Sequence, residues 1–466
     1  MEKYRFTGIW SVFIFSLLLF GCRPSTNPQM TPISDNPSLS PGDAANVPST
    51  NRIKIRWFIG VGTGRTPEAV ETASEFVKEF NQSQDKIELE LEVITSSTHD
   101  AIDRLLSELE AGNPPDLVAP ADKGWAGEQL SEYILPFDTS LRGNELSEVD
   151  SKVLNSWRVE GKLIGLPIGV FPSAIYYNKS IFDAAKLPYP PHKFGEPYAD
   201  GDPWTIEKME EIAMQLTLDT NHQNAASLDF DPAFITQWGF HWQWDSTRSM
   251  AVMFGPGSVV GDNGNAVIPQ NWQEAYRWYY EGTWEKHFIP TNAQVSSMMN
   301  GNPFRSGRVA MIHSFMWYSP RLVDLSNWDL AAVPAWQGIS TTRMELDGVI
   351  ILNTTQHPAE AVKVAYAIAN SPELLLAWEM IPTSKGMQAQ FIDEIKLKHP
   401  GVDWQVMLDS IDYADSTYEN MMPNYRKAYD RLLAFRDLIG SSGDLSLDQE
   451  IDRLEADLQA IFDENP

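Results

Sequence analysis

The sequence predicts an α/β protein built as two lobes. Two observations carry this: strand and helix patterns alternate from the first folded residues onward, and the chain is too long for one open sheet. At 466 residues it has room for two or three domains of roughly 150 residues each. A hydrophobic share of 43% and a charged share of 21% exclude a wholly disordered, collagen-like or polytopic membrane chain.

The elements follow in order. Ile53, Ile55, Trp57 and Ile59 alternate along a strand that runs into the loop Gly60 to Arg65. Thr66-Pro67 then supplies an N-cap and a proline at the first helical position, and Val70, Ala73, Val77 and Phe80 recur at helical spacing. Ile87, Leu89, Leu91 and Val93 mark a second strand. Ile102, Leu105, Leu106 and Leu109 mark a second helix, which stops at Gly112-Asn113-Pro114, and Asp116 to Ala119 is a short third strand. Such βαβ units imply a largely parallel sheet with helices on both faces, and sites gather at the carboxyl ends of its strands. Beyond Lys162 further helices are expected near 205–217, 271–282, 358–370 and 424–439. A last helix opens on the capping box Ser446 to Gln449 and repeats Ile451, Leu454, Leu458 and Phe462.

Ahead of the folded body, Lys3 and Arg5 precede an apolar run, Ile9 to Phe20, too short to span a bilayer as a mature helix; residues 1–21 read as a signal peptide. The only cysteine, Cys22, follows directly, and Leu18 to Cys22 resembles the lipobox of bacterial lipoproteins, which implies lipidation at Cys22 and a membrane anchor. Residues 22–50, rich in Pro, Ser, Thr and Asn, read as a flexible tether. The expected location is therefore extracytoplasmic and lipid-anchored. Lys and Arg number 35 against 63 Asp and Glu, a net charge of −28 that repels nucleic acid. One cysteine excludes an intrachain disulfide and a multi-cysteine zinc site.

Several segments, in order, resemble the sugar-type family one of bacterial ABC-importer solute-binding proteins, the family that includes maltose-binding protein. They are Gly112-Asn113-Pro114-Pro115-Asp116-Leu117-Val118; Gly161-Lys162-Leu163-Ile164-Gly165-Leu166-Pro167 with Ile175-Tyr176-Tyr177-Asn178-Lys179; Trp204-Thr205 to Leu216; and Phe304-Arg305-Ser306-Gly307-Arg308-Val309-Ala310-Met311. Trp328 to Pro334, Asp347-Gly348 and Ala359 to Ala361 continue the match. The resemblance implies a periplasmic-binding-protein-like fold: two discontinuous α/β lobes, 51–168 plus 345–385 and 169–344 plus 386–466, joined by a hinge with the ligand cleft between them. It further implies a receptor that closes over a carbohydrate, hands it to importer membrane subunits, acts as a monomer and catalyses nothing.

A sugar has apolar faces and a hydroxyl rim, so its site needs aromatic plates and polar side chains. Sixteen Trp and fifteen Tyr fit that need. Trp238, Trp242 and Trp244 share one face if extended and are ligand candidates. Trp317 stands at the family's stacking-tryptophan position, and Asp122 and Trp125 lie just past the third strand. Phe171 replaces a carboxylate of the maltose-binding type, implying a different sugar or a stacking surface. Arg343 and Asp347 flank a turn before a buried strand and complete the candidates with Thr63 and Arg65. The Gly60–Arg65 loop lacks the sixth-position glycine of a dinucleotide fingerprint and has no Walker lysine, so it reads as a tight turn meeting a neutral solute, with an anion cradle as the alternative. No motif calls for a cofactor, and the eight histidines show no metal-ligand spacing. The competing readings are a non-sugar solute (glycerol phosphodiester, polyamine or metal chelate) and a secreted carbohydrate-active enzyme. Adjacent Tyr176-Tyr177 also raises a ferric-ion site, against which a structural role is preferred.

Overall fold

The structure, a computed structural model, describes residues 52–137, 149, 151–159, 161–243, 247–415 and 422–464. The expected signal peptide, Cys22 and the expected tether lie outside these residues, as does Trp244. From Thr50 onward the chain forms one compact body.

The first three strands, β1 (Ile53–Ile59), β2 (Ile87–Val93) and β3 (Leu117–Asp122), alternate with α1 (Pro67–Ser83) and α2 (Thr98–Glu110). Helix α1 starts where the sequence marks it, with Thr66 accepting from the Ala69 N–H, and α2 is capped by Ser97, which accepts from the Asp100 N–H. Strand β1 pairs in parallel with β2 on one side and β3 on the other. A short α3 (Lys123–Gln129) follows β3 at once.

Two strands then cross the body. β4 (Leu166–Asn178) runs 13 residues, about 43 Å at 3.3 Å per residue. Its first part, Leu166–Pro172, pairs antiparallel with β8 (Thr342–Ile351), and its second, Ser173–Tyr177, with β6 (Val309–Phe315). β8 in turn pairs antiparallel with β3 and β4 from Met344 onward. Its first residues, Thr342 and Arg343, pair in parallel with Ala414–Asp415. On the far side β5 (Ile235–Trp242) lies parallel to β6, and β7 (Trp328–Ala331) pairs with β4. The path is therefore β2-β1-β3-β8-β4-β6-β5. The pairs β2-β1, β1-β3 and β6-β5 are parallel, but the centre is antiparallel, and a two-residue strand, Leu218–Asp219, pairs antiparallel with the outer side of β5, unlike the largely parallel sheet expected. The reason is connectivity: β4 and β8 carry the chain across the body in opposite directions.

Packing covers both faces of the crossing strands. All of β4 except Asn178 is buried. Tyr176 packs into a core with Trp57, Phe58 and Val118, whereas Tyr177 enters a second core with Phe240, Trp272 and Phe435. Adjacent strand residues point to opposite faces, so these two phenols cannot share one ion. The Tyr176 hydroxyl instead donates to Phe315 O at 2.8 Å, and burial holds both phenols above the ordinary tyrosine range. The expected helices appear as α4 (Ile206–Leu216), α5 (Gln270–Trp284), α6 (Pro358–Ala369), α7 (Tyr425–Ser441) and α8 (Leu447–Phe462). α8 buries Ile451, Leu454 and Leu458 as its spacing predicts, but Ser446 makes no side-chain cap bond among the described residues, so the capping box does not form. Among these residues no helix is long and apolar enough to cross a membrane.

Candidate functional site

A cleft of about 490 Å³ opens beside the carboxyl ends of β1, β2 and β3, where open α/β sheets place their ligands. From the first lobe come the Val61–Thr66 loop, the hydroxyl residues Thr95, Ser96 and Thr98 between β2 and α2, and Asp122 and Trp125 at the β3–α3 junction. Facing them are Phe171 on β4, Glu345 and Asp347 on β8, and the turn after β6, which carries Trp317, Pro320 and Arg321. Ala377 and Trp378 close one end.

The loop after β1 has to come close to β8. A Cβ on Gly62 would stand 2.7 Å from Asp347 Oδ2 and 3.0 Å from the Asp122 backbone nitrogen, so a side chain there would push the strands apart. Gly64 adopts φ +88°, a conformation that L side chains resist. This approach lets Asp347 Oδ2 accept from both the Thr63 backbone N–H (2.9 Å) and the Thr63 hydroxyl (2.7 Å). Burial raises the Asp347 carboxyl above its usual range, against the pull of the Thr63 donors and the Arg65 charge. Arg65 is itself half-buried, and burial lowers its guanidinium, with Asp347 opposing.

The aromatic plates are held from behind. Trp317 Nε1 donates to Glu345 Oε2 at 2.7 Å, and its ring stacks on Phe315 with centroids 5.6 Å apart and planes at 14°. Glu345 Oε1 is paired at 3.1 Å with Arg343 Nη2, and Arg343 Nη1 donates to Ser249 Oγ at 2.6 Å. Trp125 is braced edge-on by His99, Tyr425 and Tyr429 at 4.6, 5.7 and 5.5 Å. The Trp125 backbone N–H donates to Asp122 Oδ1 at 3.0 Å. Trp378 meets Trp57 edge to face at 6.3 Å. Lys123, beside Asp122, is pushed down to about 8 by burial, with Asp122 opposing. Two half-buried indoles, Trp125 and Trp317, with carboxylates, guanidinium groups and hydroxyls between them suit a ligand with apolar faces and a polar rim, while Trp378 is buried behind the cleft. Among the described residues no group of three His, Cys, Asp or Glu side chains could hold a metal ion.

The structure brings together Thr63, Arg65, Asp122, Trp125, Phe171, Trp317 and Asp347 along the cleft. It places three other candidates elsewhere. Trp238 is fully buried in the first core, because β5 is sheathed by neighbouring strands and helices. Trp242 is buried in the second core, edge-on to Tyr279 at 4.9 Å, beside a separate hollow of about 150 Å³. Arg343 is buried behind the wall, where it orients Glu345. The cleft also includes residues that sequence reading passed over. Thr95 to Thr98 follows β2 at its carboxyl end, the signal that singled out Asp122 after β3. Arg321 lies one helical turn past Trp317. Trp378 comes from a distant segment and carries no local signal.

A two-lobed α/β body with an open cleft at its strand ends and plates braced for a solute is the architecture of a binding protein. The chain belongs to the bacterial extracellular solute-binding protein family, whose model matches residues 75–401. No curated protein matches it in sequence. Among solved structures it is similar to an ABC substrate-binding protein from Listeria monocytogenes in complex with cycloalternan, with a TM-score of 0.69, 17% identity, and coverage of 88% of this chain and 99% of that one. The GacH receptor of Streptomyces glaucescens, solved unliganded and with acarbose, gives 0.67 at 14% identity, covering 89% and 100%. The maltose/maltodextrin-binding domain from Bdellovibrio bacteriovorus bound to maltotriose gives 0.64 at 14%, covering 88% and 99%. At these identities the likeness establishes the fold.

Proposed function

We propose that this chain is the extracytoplasmic receptor of an ABC importer, and that it closes its lobes over an oligosaccharide and passes it to the membrane subunits. The observation that carries this reading is the pair of braced, half-buried indoles, Trp125 and Trp317, set among polar side chains around one cleft. The carbohydrate ligands named for the similar structures support it. The lobes divide at 51–168 plus 345–385 and 169–344 plus 386–466. Closure turns about the crossing strands, so the ligand stabilises the one state in which both walls touch it. The receptor is monomeric and held to the membrane by acylated Cys22, with the tether as its leash.

The same reading makes the chain a non-catalytic binder. Both Glu345 oxygens are engaged by Trp317 and Arg343, and Asp347 Oδ2 takes two donors from Thr63. These carboxylates are occupied in shaping the wall rather than poised to exchange protons with a glycosidic oxygen. Titration with maltotriose and cyclic glucans, followed by tryptophan fluorescence and melting temperature, tests the reading. Ligand-dependent changes without product formation are expected, and a silent sugar panel would overturn it.

A further inference from the structure

The separate hollow of about 150 Å³ lies at the carboxyl end of β5 and shares no lining residue with the cleft. β5 and β6 run parallel there, and open α/β sheets place ligands at such strand ends. Its polar and aromatic walls are His241 and Trp242 at the end of β5, Tyr279 on α5, Asn292 on the helix Asn292–Met299, and Arg436 with Asp437 on α7. The Trp242 and Tyr279 rings meet at 4.9 Å with planes at 82°, which makes an aromatic corner.

The buried polar groups of this hollow are uncharged. Burial holds the His241 imidazole down to about 3, and the Arg436 charge adds to the effect, so the ring is neutral at neutral pH. Burial raises the Tyr279 hydroxyl above the ordinary tyrosine range, with Arg436 opposing and Asp437 adding, so it stays protonated. Neither side chain makes a hydrogen bond to protein among the described residues, and His241 Nδ1 and Trp242 Nε1 are buried without a partner. The charges at the rim hold one another, with Arg436 Nη2 2.8 Å from Asp437 Oδ1. A charged ligand would therefore meet no buried counter-charge, and a purely apolar ring would leave the imidazole and the phenol unpaired. A cavity of about 150 Å³ has room for one six-membered ring.

We propose that this hollow is a second ligand site, taking one neutral monosaccharide whose ring face lies in the Trp242–Tyr279 corner and whose hydroxyls meet His241 and Tyr279. A hydroxyl both donates and accepts, so it satisfies either tautomer of the imidazole and the phenol alike. The inference stands apart from the carbohydrate reading of the cleft, since the two share no residue.

The test is a saturation-transfer NMR titration of the full-length protein with D-glucose, glycerol and phenol. Glucose is expected to bind with a Kd on the order of 1 mM, in keeping with its size. Tyr279→Phe keeps the ring and removes only the hydroxyl, and should weaken glucose by about three- to tenfold. Val295→Phe, which fills the hollow from a half-buried position, should abolish the signal. Trp317→Ala, which strips a plate from the cleft, should leave glucose in contact with the hollow. Absence of a glucose signal, or a signal lost in Trp317→Ala and kept in Val295→Phe, overturns the site. Tighter binding of phenol or glycerol overturns the monosaccharide assignment. Silence from maltotriose while glucose still binds in a Tyr279-dependent way overturns the oligosaccharide reading of the cleft and leaves this inference standing.

Discussion

The tryptophans of the cleft and those of strand β5 are the same residue in two settings. Trp125 and Trp317 sit just beyond the ends of strands, where a ring can be braced on one side and open on the other. Trp238 and Trp242 sit within a strand that is covered by its neighbours, and their rings fill cores. A dense run of tryptophans therefore says nothing by itself about a ligand. What packs over each ring decides whether an indole is a wall or a filling, since Trp242 ends its strand and is still covered.

That contrast can be broken by mutation. The largest expected effect is Trp238→Ala, which should cost about 3–5 kcal/mol of stability as a filled core position is emptied; urea denaturation would measure it. Trp317→Ala should do the reverse. It should weaken sugar binding by about 1.5–3 kcal/mol, roughly 10- to 150-fold, and lower the denaturation midpoint by much less than Trp238→Ala. If both variants lose stability alike, the distinction between wall and filling fails. Glu345→Gln comes next. Without its charge the ion pair to Arg343 is lost and the Trp317 plate loosens, for an affinity loss of about tenfold by calorimetry. The smallest effect is on pH. Because burial lowers Lys123 to about 8, the folded state holds fewer protons than the unfolded chain above that pH, so stability should rise from about pH 8 toward the ordinary lysine value of about 10.4. Lys123→Met should flatten this rise in a pH series of melting curves, while leaving the profile below pH 7 parallel to that of the parent.

Much of the architecture was legible because it is local. The alternation from Ile53 to Val93, the Thr66-Pro67 start of α1 and the polar residues after β3 are each signals a few residues long. The same kind of signal marked Thr63, Asp122 and Trp125, which meet in the cleft. The antiparallel centre of the sheet was not legible, because strand direction there depends on which lobe the chain enters next. Nor was the companion role of Arg343, which shapes the site only through Glu345, on the same strand but reaching a tryptophan 28 residues away.

The sequence by itself determined where strands and helices begin, which faces they bury, and that hydroxyl and aromatic groups crowd the strand ends, since these follow from side-chain periodicity and capping within a few residues. Only the tertiary structure decided which tryptophans face the cleft and that Arg65 and Arg321 share one space. Those outcomes depend on what packs against each strand and on where β4 and β8 cross between lobes, and no stretch of neighbouring residues encodes either.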